Sequence, residues 1–314
     1  MIAILGGLGA ACLWATANLA SSRSSKIIGA SSTVAWMMLV GLVVATPFAV
    51  VSGPLPPITP TLAVWLTASG VGGVIGLMLV YRGLRIGKIG VVLALASTEG
   101  AIAAVFAVIA GESLNVATTV VLGLIAIGVA TVALASGGAA EPNASAAAEP
   151  NASAAAEPGA AEPGAAAAAA ESSRLASERR AAMFGALAAI AFGFSIYGTA
   201  RIGMSLPVAV AVLPARVVGV ACVFVPMALA GRLRMTRRAV PMVVIVGLGE
   251  VLGNASYVFG ARESIAIASV LASQFAAVAA VAAFLLFRER LTFQQRSGFV
   301  AIAFGVAVLT VVRG

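Results

Sequence analysis

Apolar residues fill this chain in long runs, and polar residues collect in the short gaps between them. A helix crossing the hydrocarbon core of a bilayer needs about 20 mostly apolar residues. Ten segments meet that need: 2–20, 31–51, 61–81, 89–110, 115–135, 181–200, 207–230, 240–260, 264–286 and 293–312. Helix breakers mark the gaps. Pro54, Pro56, Pro57 and Pro60 separate the second and third spans, and Pro207 opens the seventh. Pro241 falls in the first turn of the eighth, where a missing N–H costs little. Residues 136–179 interrupt the pattern. There Ala-Ala-Glu-Pro-Asn-Ala-Ser-Ala begins at Ala139 and again at Ala147, followed by shorter Glu-Pro-Gly units. Recurrent proline forbids a long helix, and no large apolar side chain precedes Leu175, so the tract reads as a solvated, disordered linker.

The spans on either side of this tract repeat each other. Displaced by 177 residues, Gly83 falls on Gly260, Arg85 on Arg262, Glu112 on Glu289, Leu114 on Leu291 and Gly128 on Gly305. Displaced by 178, Gly7 falls on Gly185 and Trp14 on Phe192. Five spans per half is an odd number, so the second copy must enter the membrane in the opposite direction. The expected fold is an all-α membrane protein: ten transmembrane helices as two inverted five-helix repeats, 1–135 and 180–314, around a central cavity. A site is expected near mid-membrane, between the halves.

Composition narrows the chemistry. Hydrophobic residues make up 61% of the chain and charged residues 10%, where a soluble domain carries about 25% charged. Outside the central tract, 18 Lys/Arg stand against 5 Glu. Such a surplus suits nucleic acid, but here the cations sit in short loops between apolar spans. No nucleic-acid partner is expected; the bilayer itself and a small-molecule substrate are. Fifteen of the 19 Lys/Arg lie in loops joining odd to even spans, against Arg201, Arg262 and Arg313 on the opposite face. The positive-inside rule places the first set in the cytoplasm and both termini outside, in a multi-pass protein of the plasma membrane. Histidine and aspartate are absent, and Cys12 and Cys222 read as small buried hydrophobes. No metal, cofactor or nucleophile–base set is visible, so an enzyme is not expected. Oligomeric state is not written in the sequence.

Four spans carry a strongly polar group near mid-depth: Glu99, Arg216, Glu250 and Gln274. A charge at the bilayer centre costs on the order of 2.5–3.5 kcal/mol on insertion scales, so each calls for a cavity, a partner or a proton. Glu250, Asn254 and Tyr257 follow each other at i, i+4 and i+7, one face of a helix. Trp14 and Asn18 share a face in the first span, and Ser195 and Tyr197 add polarity to the sixth. Glu99 and Glu250 are candidates for proton coupling, because burial disfavours the charged carboxylate. Arg216, Asn254, Tyr257, Gln274, Trp14 and Asn18 are candidates for substrate binding. The structural alternatives are an ion pair of Arg216 with one glutamate and an interhelical hydrogen-bond seam along span 8. Gly70, Gly72, Gly73 and Gly76 lie within a span rather than between strand and helix, so they point to close helix packing and not to a nucleotide loop.

Two motifs carry a resemblance. Gly111-Glu112-Ser113-Leu114 with Gly128 ends one half, and Arg288-Glu289-Arg290-Leu291-Thr292 with Gln295, Gly298 and Gly305 ends the other. The order resembles the EamA-type permeases of the drug/metabolite transporter superfamily, in which a glycine-glutamate turn and a leucine-threonine precede a glycine-spaced final helix. Leu213-Pro214-Ala215-Arg216 is similar to a segment where members often carry an arginine; the first half has Met37 near the equivalent place. The resemblance implies a central cavity lined by the first four spans of each half, and export or exchange of small metabolites, often amino acids. Glu112 and Glu289 are expected to cap a turn near the N-terminal end of the following helix. Two departures stand out: the long linker, and termini that the charge count places outside although bacterial members usually keep them inside. Superfamily relatives also include flippases for lipid-linked sugars, and a non-transporting membrane scaffold is a further alternative.

Overall fold

A computed structural model describes residues 1–86, 89–137, 163–275, 277–279, 281–282 and 293–313. Its helices are α1 (Ile2–Ile28), α2 (Ala30–Val51), α3 (Pro60–Ile86), α4 (Ile89–Ala96), α5 (Glu99–Ile109), α6 (Val116–Gly137), α7 (Pro163–Ser205), α8 (Val208–Gly219), α9 (Val225–Leu229), α10 (Val240–Ala261), α11 (Ile265–Ala272) and α12 (Phe293–Arg313). Among the described residues there is no strand. Six helical stretches are long and apolar enough to cross a membrane: α1, α2, α3, Leu175–Ser205 of α7, Val208–Leu229 and α10. Their outward faces keep large apolar side chains such as Leu5, Val43, Phe48 and Leu252 exposed, as a lipid-facing surface requires. The protein is a multi-pass membrane protein.

The connections follow local chemistry. Gly29 alone joins α1 to α2, at φ +85, a conformation that costs glycine little. A π-helical turn, Val220–Phe224, links α8 to α9. Pro226 has no N–H to return to Cys222, and the helix loosens just before it. Two expectations need correction. The central tract is not wholly a linker: α7 starts at Pro163, the last proline of the tract, at a position where proline is tolerated, and the Ala-rich run beyond it favours helix. Ser177, inside that stretch, donates a hydrogen bond to the Ile86 carbonyl. Cys12 and Cys222 are exposed on the helix surfaces rather than buried, since each lies on an outward face. The rest of the tract, residues 138–162, and the turn around Glu289 lie outside the described residues.

Small residues decide which helices touch. α1 packs along α10, and α3 along α7. In the first pair a Cβ on Gly6 would come within 2.5 Å of Gly260 Cα, so the two backbones meet there. In the second, Gly72 lies on the Ala191 carbonyl, Gly76 on the Phe192 ring and Gly198 on the backbone of Ser69. The glycine run of α3 thus serves packing. α2 lies against α8, α5 against α11 and α6 against α12. Polar contacts gather the loops at two ends. Met1, the turn at Glu112, the α7–α8 loop and the α10–α11 loop meet at one end through Met1–Glu263, Glu112–Ser264 and Arg262–Leu206 contacts. Ser32 and Trp36 meet Arg234 at the other, where Ser177 also meets Ile86.

Candidate functional site

Two apolar spans are broken in mid-course, and the breaks share one chemistry. Between α4 and α5, Thr98 N–H donates to the Leu95 carbonyl at 3.1 Å and the Thr98 hydroxyl donates to the same carbonyl at 2.7 Å. After α11, Gln274 N–H donates to the Leu271 carbonyl at 3.1 Å and the Ser273 hydroxyl to the Val270 carbonyl at 2.8 Å. Displacement by 177 residues puts Ser97 on Gln274, so both breaks fall within one residue of the same place in the repeat. Hydroxyl groups that bond the preceding turn compete with the helical ladder and let it open. The broken helices also cross each other: a Cβ on Gly100 would lie 2.3 Å from the Ser269 carbonyl oxygen and 2.7 Å from Ser273 Cβ.

The charges expected at mid-depth stand around this crossing. Arg216, 3% exposed near the end of α8, donates from Nη2 to Glu250 Oε2 at 3.0 Å. Its Nη1 reaches Met38 Sδ at 3.5 Å, and its buried Nε has no hydrogen-bond partner among the described residues. Gly41 of α2 leaves the space for this side chain; a Cβ there would come within 2.9 Å of Arg216 Cδ. Glu99 is the first residue of α5 and half-buried. Its carboxyl makes no hydrogen bond or ion pair among the described residues, yet lies close enough to Glu250 and Tyr257 to interact electrostatically with both.

Tyr257 is fully buried and ties three helices together: its hydroxyl donates to the Ile196 carbonyl of α7 at 3.2 Å and lies 2.9 Å from Ser269 Oγ of α11. The Trp14 ring stands 6.3 Å from the Tyr257 ring and 6.2 Å from Phe275, the latter edge-on. Trp14 Nε1 and Gln274 Oε1 are buried without hydrogen-bond partners among the described residues. Gln274 Nε2 donates to the Val270 carbonyl. Asn254 donates to the main-chain carbonyl of Glu250 at 2.7 Å, so it braces its own helix and leaves the Glu250 carboxyl alone. Asn18 is exposed.

The structure therefore brings Arg216, Glu250, Glu99, Tyr257, Trp14 and Gln274 to one neighbourhood and sets Asn254 and Asn18 apart from its charges. Sequence reading missed Ser269, Met38 and Phe275. Each sits in an apolar run with nothing to distinguish it until the helices are assembled. Glu112 behaves as a cap, but of an unexpected helix. It accepts from the Ser264 hydroxyl and from Ile265 N–H and Ala266 N–H, at the N-terminus of α11 in the other half. Beside it, Arg262 donates to the Gly203 and Leu206 carbonyls at the end of α7. A separate groove of about 790 Å³ opens sideways between α3 and α7, lined by side chains such as Val64, Val71, Ile75, Ile190 and Phe194.

Interrupted helices that meet around intramembrane charges are the architecture of membrane transporters. Residues 1–134 match the EamA-like transporter family. A solved structure described only as "Crystal structure of protein" shares the fold with a TM-score of 0.71 at 17% identity, covering 99% of this chain and 96% of the other. Comparison with curated proteins gives no match.

Proposed function

We propose that this protein is a secondary transporter of small metabolites such as amino acids, working in the plasma membrane by alternating access as an exporter or exchanger coupled to protons. In this reading ten spans form two inverted five-helix repeats. The matched breaks support it, as does the pairing of helices: α1 with α10 is mirrored by α7 with α3, and α2, α6 and the α4–α5 span each pack on the corresponding span of the other half. The observation that carries the function is the division of labour among three charges. Arg216 holds Glu250, while Glu99 stands beside them without a cation. Glu250 and Arg216 then form the polar end of the solute site, with Trp14, Tyr257 and Gln274 as its neighbours. Glu99 is the group that gains and loses a proton as the cavity changes sides.

The lateral groove is what a lipid-linked-sugar flippase would need, but its lining is almost wholly apolar and gives a sugar head no path. A scaffold has no use for an unpaired intramembrane carboxyl. The test is amino-acid transport in proteoliposomes with and without a pH gradient. Glu99→Gln should keep solute exchange and lose accumulation driven by the gradient. Unchanged gradient-driven accumulation in Glu99→Gln would remove Glu99 from the coupling role.

A further inference from the structure

We infer that the groove between α3 and α7 is a binding site for one anionic phospholipid of the bilayer, its acyl chain in the groove and its phosphate on Arg201. The groove is built for a chain. On α3 its lining runs from Ala63 to Leu79, which at the helical rise of 1.5 Å per residue is roughly 24 Å, most of one hydrocarbon core. Its polar surface is minimal. Thr67, a hydroxyl on the wall, is turned to the Ala63 carbonyl of its own helix at 2.9 Å. Val64, Ile75, Leu187 and Ile190 are all more than 40% exposed, so the groove opens to where lipid lies.

The cation stands at one mouth. Leu187, Ile190, Phe194 and Arg201 are spaced by three, four and seven residues, a single stripe along α7. α3 and α7 run antiparallel, with Gly83 against Phe184 at one end and Gly198 against the Trp65 carbonyl at the other. Arg201 therefore lies at the Ala63–Val64 end. Its guanidinium sits 5.9 Å over the Trp65 ring and makes no hydrogen bond or ion pair among the described residues. Arg262, the neighbouring cation at that end, is committed to backbone carbonyls. A half-buried guanidinium with open donors, at the head of a tail-shaped groove, matches a phosphate carrying an acyl chain. α3 and α7 come from different halves, so a seated lipid bridges them.

Native mass spectrometry of the full-length protein, titrated with phosphatidylglycerol and with phosphatidylcholine of the same acyl chains, tests this. One phosphatidylglycerol should be retained in preference to phosphatidylcholine. Arg201→Gln should weaken phosphatidylglycerol binding roughly fivefold, the worth of one cation at an anionic lipid surface, and Arg201→Lys should largely keep it. Ile190→Trp, which fills the groove and leaves the cation in place, should lose the lipid as well. Equal retention of the two lipids by the unaltered protein would overturn the proposal, as would unaltered phosphatidylglycerol binding in Arg201→Gln or in Ile190→Trp.

Discussion

Arg216 and Glu250 face each other at 3.0 Å with the arginine 3% exposed and the glutamate side chain 26% exposed. Removing one member strands the other. Glu250→Leu leaves a buried guanidinium uncompensated and should cost about 3 kcal/mol, the lower end for broken buried pairs because Glu250 keeps some contact with water. The double change Glu250→Leu with Arg216→Met should recover most of that loss. Thermal unfolding in detergent measures both. A double variant as unstable as the single one would mean that the pair itself, rather than the stranded charge, supplies the stability.

Glu112 satisfies backbone donors of a helix that starts 153 residues away. Glu112→Ala should lower stability by about 1–2 kcal/mol, the usual worth of a helix cap. Glu112→Gln keeps an acceptor and should lose less. The comparison of melting temperatures decides whether capping or mere bulk is at work.

At the α1–α10 crossing there is no room for a side chain at Gly6, where a Cβ would meet Gly260 Cα at 2.5 Å. Gly6→Leu should separate these helices at a cost of about 1–3 kcal/mol. Gly123 on α6 has nothing within 4 Å of its Cβ position. Gly123→Ala should accordingly be neutral or stabilise α6 by up to about 1 kcal/mol through helix propensity.

Glu263, in the loop after α10, accepts from the Met1 ammonium at 2.9 Å and from Ala3 N–H at 2.8 Å. These donors, the ammonium foremost, hold its carboxyl below the ordinary glutamate range. A carboxyl with a depressed folded-state pKa stabilises the fold above its unfolded value, about 4.3, and loses that contribution as pH falls through the folded value. The melting temperature should therefore drop more steeply on acidification for the unaltered protein than for Glu263→Gln. Parallel acid titrations of the two would exclude the contact as a source of stability.

The Lys/Arg-rich loops and the termini are proposed to face opposite sides, with the termini outside. A single cysteine at the C-terminus, in a Cys12→Ala, Cys222→Ala background, should react with a membrane-impermeant reagent on intact cells. Reaction only after permeabilisation would invert the orientation.

The six membrane-length helices and the charged residues were legible because both are local signals. Twenty apolar residues announce a membrane helix wherever it packs, and Glu99, Arg216 and Glu250 stand out against such a background. The pairing was only half legible. Sequence pattern brought Glu250, Asn254 and Tyr257 to one face, yet Asn254 turned to its own helix and Tyr257 to Ser269, choices fixed by the neighbours each side chain meets. The breaks at Ser97–Thr98 and Ser273–Gln274 escaped notice because serine, threonine and glutamine are tolerated within helices. The α7 extension is masked by the prolines that precede it, although none follows Pro163 until Pro207. Glu112 looked like a cap from its turn, but nothing near it in sequence names the helix it serves.

That last contact also sets an order of events. A chain is made from its N-terminus, so Glu112 is in place before α11 exists. The α11 donors at Ile265 and Ala266 find their acceptor only when the second half docks on the first. Until then they must be met by water or remain unmet, and α11 is not settled on its own. The first half is in this sense a template on which the second completes itself. The same chemistry would let the two halves, made as separate polypeptides, recognise each other.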